Sequence, residues 1–344
     1  MNIRDLKYLL AYLLPLVAAL NLIYPQMSPW SVVILAFGIV PLLEWLLPAS
    51  KDNFEEPIER QKAGMRLFDY LLWLNVPLIF GVLYGYFRLV ASDDALSPAY
   101  LAGLTLSAGI VLGANGINVA HELGHRAKVW EQRLAQLLLM PSLYMHFFIE
   151  HNRGHHKHVA TDRDPASARR GEWVYAFWIR SIAGGWRSAW QLERRRLTQA
   201  GLPFWSARNA MLRYLLIQAA WLGAVYAFFG AKALLGAVAV ALISVLLLET
   251  INYIEHYGLR RNLLDNGRYE PVSPRHSWNS NHEVGRILLY ELTRHSDHHY
   301  KSSRKYQILR HIDESPQLPF GYPAAMLAAL VPPLWFWIMD KRMG

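Results

Sequence analysis

Six stretches of nearly unbroken apolar residues divide the chain: about Leu6 to Tyr24, Trp30 to Leu47, Leu67 to Val90, Tyr100 to Ala120, Asn209 to Phe229 and Ala231 to Tyr253. Each approaches the roughly 20 residues that a helix needs to cross a bilayer core. The first lacks a small-residue cleavage site and five more follow it, so it reads as a first span and not as a cleaved signal peptide. The pattern predicts an all-α polytopic membrane protein with six transmembrane helices. Between the spans the periodicity changes. Residues 126 to 148 place apolar positions at helical spacing after an early charged turn, as expected of a helix lying along the membrane interface. Residues 172 to 200 are amphipathic and rich in Trp and Arg and predict a second such helix. The run Tyr257 to His282 reads as loop, with Asp265-Asn266-Gly267 as a turn and two prolines behind it. Near the end, residues 320 to 339 are apolar but interrupted by Pro332-Pro333, which predicts a re-entrant or interface-lying segment.

The cations orient this arrangement. Of 35 Lys and Arg, two (Arg4 and Lys7) stand at the start of the first span, four lie in residues 48 to 66, 14 in residues 120 to 208 and 12 after residue 253. The alternate connections hold only Lys232 at an edge, while Ser92-Asp93-Asp94 is acidic. By the positive-inside rule both termini and both long polar segments should face the cytoplasm. A net charge of +9 is therefore one-sided, suited to membrane lipids or an acidic protein partner, and no nucleic-acid partner is expected. The absence of cysteine excludes disulfides, iron–sulfur clusters, thiolate-ligated haem and a cysteine nucleophile. No internal repeat, Gly-rich nucleotide loop or flavin fingerprint is present.

Nine of the 14 histidines fall in four groupings at predicted cytoplasmic helix ends: His121 and His125 in "HELGH", His151, His155 and His156 in "EHNRGHH", His256 in "NYIEHYGL", and His295, His298 and His299 in "RHSDHH". The i, i+4 relation of His121 to His125 puts both rings on one helix face, where they can share one ion or serve two adjacent ones. His151 and His155 repeat it, with His156 about a quarter turn away. His295, His298 and His299 combine i, i+3 and i, i+4, so one helix can serve two neighbouring metals. Unpaired imidazoles at a membrane face would carry a desolvation cost with nothing to offset it. Nine nitrogens exceed the needs of one zinc and fit two ions better. Imidazole suits Zn, Cu, Fe and Ni alike, so ligand type alone does not choose. The groupings sit in separate polar segments, none of which could complete a site, so residues 1 to 344 read as one domain. His146, His158, His276, His282 and His311 stand alone and read as surface or interface residues. Glu122, Glu150, Asp164, Glu249, Glu255 and Asp297 lie near the groupings as candidate acceptors that would fix the imidazole tautomers. None reads as bridging two ions, since i+1 neighbours face away from the histidine beside them.

These segments, "NVAHELGHR", "HFFIEHNRGHHKHVATDRDPASARRGE", "NYIEHYGL", "GRYE", "HSWNSN" and "RHSDHH", resemble in order and spacing the membrane-bound alkane 1-monooxygenases, a branch of the membrane fatty-acid desaturase and hydroxylase superfamily. The resemblance runs from Asn115 to about Tyr322, and "PLLEWLL" before Asp52 fits as well. Leu292-Thr293 departs from the expected Leu-Gln, and "NFEEPIE" is less proline-rich than the family form. The resemblance implies a six-span bundle, a cytoplasmic-side site of two iron ions held by the nine histidines, and O2-dependent hydroxylation of the terminal methyl of medium- to long-chain n-alkanes drawn from the bilayer. Electrons would come from rubredoxin and its reductase. It also implies a chain-length gauge on the second span, five residues before its proline, where this chain has Ala36. A small residue for helix packing is the plain alternative there.

A terminal C–H bond is strong and unactivated, so its oxidation needs metal chemistry that side chains cannot supply. One alcohol and one water from O2 take four electrons, two of them from the C–H bond. With no cluster-binding cysteine and no nucleotide fingerprint, the other two must arrive from another protein, which Arg194, Arg195, Arg196, Arg260 and Arg261 could dock. Other readings stay open: a related hydroxylase of aromatic methyl groups, an acyl-chain desaturase or hydroxylase, an intramembrane zinc protease with Glu122 as general base, or a metal transporter, which would place histidines within the spans.

Overall fold

The computed structural model describes residues 3–93 and 95–343, so Asp94 of the acidic connection lies outside the described residues. Among them every extended element is a helix, and extended pairing is confined to isolated bridges. Four helices are long and apolar enough to cross a membrane: Asp5–Ile23, Arg66–Ser92, Pro98–Gly124 and Ala210–His256; Ser31–Leu46 is apolar but shorter. The helix Ala210–His256 has 47 residues. At ~1.5 Å per residue that is about 70 Å, more than twice the bilayer core.

That helix is two helices joined at Gly230, whose φ of 81° and ψ of −177° leave the helical region. Its first half runs with Arg66–Ser92: Trp221 meets Phe80 and Phe87, and Phe229 meets Tyr84 and Phe87. The second half runs with Pro98–Gly124, where Gly109 lies against Ile243 and Gly113 against Leu247. Those two partner helices form an antiparallel hairpin pinned by Tyr86 to Thr105 at 2.8 Å, so the chain must reverse at Gly230. The break falls in the turn predicted between the last two apolar stretches. A side chain at Gly230 would meet nothing within 4 Å, so only backbone conformation demands glycine there. Gly230→Ala should cost about 1–3 kcal/mol, read as a lower thermal midpoint in detergent; an unchanged midpoint would mean that the reversal needs no such conformation. Close packing demands glycine at position 109 instead, since a Cβ there would lie 2.4 Å from Ile243 Cγ2.

The expected interfacial helix over residues 126 to 148 is broken. It is regular only over Val129–Leu139. Pro141 disfavours helix at the residue before it and removes a donor, and Leu143 takes a positive φ of 55°. A short helix, Phe147–Glu150, then leads into the second histidine grouping. The second predicted interfacial helix spans Val174–Gln199. The expected loop carries one short 3-10 turn, Pro274–His276, and turns at Gly267, with a φ of 72°. The apolar end is split as Pro332-Pro333 implied, into Tyr322–Ala329 and Pro332–Met339, each about 12 Å long and too short to cross.

Three helices widen into π-turns, at Leu35–Ile39, Leu112–Ile117 and His151–His155. Residues of all three line one apolar cavity, namely Ala36, Phe37, Gly113, Ala114 and His151. Such bulges re-aim side chains and recur at functional sites.

Candidate metal centre

Nine imidazoles converge at the inner end of this cavity in two adjoining groups. His121, His125, His151, His156 and His298 form one; His155, His256, His295 and His299 form the other, and within each group the ring nitrogens lie within 4.8 Å of one another. Every ring presents Nε2 inward. In the first group Nε2 separations are 2.9 Å for His121 to His298, 3.0 Å for His125 to His151, 3.0 Å for His156 to His151 and 3.1 Å for His298 to His156. In the second they are 3.2 Å for His155 to His299, 3.2 Å for His295 to His256 and 2.9 Å for His299 to His295. The rings of His156 and His299 stack across the boundary at 4.5 Å.

The partition corrects one spacing argument. An α-turn would group His151 with His155 and turn His156 aside. The π-turn His151–His155 closes its bonds over five residues, so His151 and His156 share a group and His155 joins the other. The third grouping behaves as its spacing implied, with His295 and His299 in one group and His298 in the other.

Burial sets the charge state. His125 is pushed down to about 4 by desolvation. Desolvation, with the positive charge of neighbouring rings, holds His151, His156, His295, His298 and His299 well below the usual imidazole range. His155 differs. Burial disfavours its cation, but Asp164, 2.9 Å from Nδ1, outweighs burial and raises it, while His155 and Ser167 hold the Asp164 carboxyl below its ordinary value against the same burial. Mutual hydrogen bonds cannot satisfy so many neutral rings, each with a single N–H. Inward lone pairs about 3 Å apart suit nitrogens that each lie ~2.1 Å from one shared ion, so the donor set fits a cation in each group.

The six carboxylates separate by contact. Asp164 binds His155 through Nδ1, the nitrogen facing away from the group. Glu255 does something the i, i+1 argument did not foresee: it faces away from His256 beside it, yet brings Oε2 within 3.1 Å of His295 Nε2, on the inward side. Tyr322 donates to its other oxygen at 2.8 Å. Glu122 turns from both its neighbouring histidines to Arg126 at 2.9 Å and the Tyr306 amide at 3.2 Å. Asp297 accepts from Arg304 at 2.8 Å and the Arg310 amide at 2.8 Å. Glu249 accepts from Tyr144 at 2.9 Å. Glu150, pushed up to about 8 by burial and the nearby Asp164 charge, lines with Glu249 a small polar pocket behind His151 and His155. His146 lines that pocket too, and none of the five solitary histidines enters either group. Sequence reasoning gives no role to Tyr322, nor to Ser277, whose Oγ lies 3.5 Å from His256 Nδ1; Ser277 stands in the segment "HSWNSN", the one signal that pointed toward it.

The cavity above the groups is a partly open cleft of about 920 Å³. Its walls are apolar, including Ala36, Phe37, Val40, Ile110, Leu248 and Met326, and its polar end is formed by His121, His151, His295, Asn118, Asn252 and Glu255. Asp164→Asn should lower metal retention or turnover by about 10–100-fold, measured as metal per chain and rate together; wild-type values for both would remove the role of Asp164 in aiming His155.

Residues 95–328 match the fatty acid desaturase family. The chain is 40% identical over 332 residues to alkane 1-monooxygenase 2 of Pseudomonas aeruginosa, covering 93% of this chain and 85% of that protein. It is 48% identical over 237 residues to the alkane 1-monooxygenase of Acinetobacter baylyi, covering 68% and 58%. A xylene/toluene monooxygenase hydroxylase component of Pseudomonas putida is 31% identical over 336 residues, covering 96% and 87%. A histidine-rich membrane protein with these relatives is an oxidoreductase of the monooxygenase type, and the chain belongs to the alkane 1-monooxygenase family within the fatty acid desaturases.

Proposed function

We propose that the protein is an integral-membrane non-haem di-iron monooxygenase that converts medium- to long-chain n-alkanes to 1-alkanols, using O2 and electrons from reduced rubredoxin. The observation that carries the reading is the apolar cavity ending on both histidine groups: His121 and His151 from the first and His295 from the second stand at its inner end. A linear hydrocarbon offers nothing to hydrogen-bond, so a slot of apolar side chains with its polar groups gathered at one end selects a chain that enters tail-out. Iron held by the nine histidines would supply reductive activation of O2, one oxygen atom going to the terminal C–H bond and the other leaving as water with two electrons and two protons. The chain's own part is to aim nine Nε2 lone pairs, to fix the His155 tautomer through Asp164, and to exclude water with Phe37, Leu248 and Met326. Glu255, steadied by Tyr322, holds a carboxylate oxygen at the junction of cavity and histidines, where a proton can be passed.

The site lies at helix ends that the positive-inside pattern assigns to the cytoplasmic face of the inner membrane, where a soluble donor could reach it. Arg194 and Arg195 are exposed there. Arg196 is taken by Glu193, and Arg260 and Arg261 by backbone carbonyls, so the first two are the better docking cations. An intramembrane zinc protease is disfavoured because Glu122 faces Arg126 and not the histidines.

Product analysis tests the substrate. Membranes supplied with rubredoxin and its reductase should turn octane and hexadecane into 1-alkanols. Oxidation of xylene alone would move the protein to the aromatic-methyl branch, and unsaturated products from acyl-CoA would make it a desaturase.

A further inference from the structure

Away from the metal groups, a second, open cavity of about 760 Å³, continuous with its surroundings, lies between the helix Val129–Leu139, the histidine-bearing turn after Phe147 and the start of Ala210–His256. Five arginines line it, Arg133, Arg153, Arg196, Arg208 and Arg213, against one carboxylate, Glu193. Glu193 is already committed: it binds Arg196 at 2.7 Å, lies 3.9 Å from Arg153 and accepts from the Ala210 amide at 2.7 Å. Among the described residues Arg133 donates to the neutral Gln136 at 2.9 Å, and no carboxylate other than Glu193 lines the cavity to meet Arg208 or Arg213. A lining with four more cations than anions favours an anionic ligand.

The surroundings indicate their source. Arg213 sits in the first turn of an apolar helix, and Leu216, one turn further on, is 71% exposed. On the connecting loop Trp205 is 80% exposed, and across the cavity Val129 and Trp130 are exposed as well. Exposed aliphatic and indole side chains close in sequence to the lining residues of both segments mark the headgroup level of a membrane, where a soluble protein partner would meet acyl chains. The floor is apolar, with Phe148, Ile149 and Tyr214, which suits a glycerol backbone below a phosphate. From these features we infer that this cavity binds the phosphate headgroup of an anionic phospholipid. Ile149 and Arg153 flank His151 in sequence and line the cavity, so the bound lipid braces the turn that carries His151, His155 and His156.

The test uses the full chain in detergent with phosphatidylglycerol, phosphatidylcholine or inorganic phosphate, read by native mass spectrometry and by thermal midpoint. Phosphatidylglycerol should add about one retained lipid and raise the midpoint, phosphatidylcholine should do neither, and Arg208→Gln with Arg213→Gln should weaken retention roughly 30-fold. Lys51→Gln with Arg268→Gln, an equal charge change elsewhere, should leave it intact, and Arg208→Lys with Arg213→Lys should keep most of it. Equal loss in both neutralised pairs would overturn the site in favour of diffuse surface charge. Equal stabilisation by inorganic phosphate would reduce it to a free-anion pocket. Unchanged lipid retention with a raised KM for the electron donor in R208Q/R213Q would reassign it to protein docking.

Discussion

A His295→Ala/His299→Ala double variant should retain about one iron per chain in place of about two and lose hydroxylation. The expectation follows from the partition of the nine rings. Both residues belong to the group of four, so their removal leaves His155 and His256, too few nitrogens for a stable site, while the group of five is untouched. Activity should fall by more than the 10–100-fold typical of losing a supporting contact, because oxygen chemistry that needs two ions is left with one. Metal per chain and 1-octanol formation, measured on one preparation, check it together. Loss of both irons would show that the groups form one cooperative unit; retention of both would remove His295 and His299 from the ligand set. Among the described residues the buried Nδ1 atoms of His295 and His299 have no hydrogen-bond partner, which leaves Nε2 as the contact-making nitrogen of each ring.

Ala36→Trp should shift the preferred substrate from long to medium chains. Ala36 is buried on the π-turn Leu35–Ile39 and its methyl faces the cavity with Phe37 and Val40. An indole there fills space that the distal part of a long alkane would occupy. Overpacking of about 1–3 kcal/mol on one substrate corresponds to roughly 5- to 150-fold in its kcat/KM, so hexadecane turnover should fall by that order while octane turnover changes little. An unchanged hexadecane-to-octane ratio would mean that Ala36 serves helix packing alone, the reading that the small side chain also allowed.

Much of the site was legible because its chemistry is written in short spacings. The i, i+4 pair in "HELGH" and the i, i+3, i+4 set in "RHSDHH" need only helical geometry to bring rings together, and both helices are present. His151, His155 and His156 exposed the limit of that reasoning: their allocation depends on a π-turn, which costs one extra residue per turn and leaves no mark in hydrophobic periodicity. Glu255 exposed another. Local geometry says which residue its carboxylate avoids, His256, but its partner His295 comes from a segment 40 positions away. The apolar stretches located the long helices, including the reversal at Gly230, since burial in lipid demands length and apolarity whatever the packing. Pro141 was visible in the sequence, yet the apolar periodicity around it suggested a longer interfacial helix than the one that forms. The arginine cavity was hidden because its five cations come from four separate stretches and meet only in three dimensions.

The two histidine groups are expected to hold two iron ions. Elemental analysis combined with Mössbauer spectroscopy of the intact protein, purified from cells grown on isotopically enriched iron, tests this expectation most directly. About two irons per chain are expected, with signals of a non-haem pair that are lost when His295 and His299 are replaced. One zinc per chain in a preparation that still hydroxylates alkanes would contradict it.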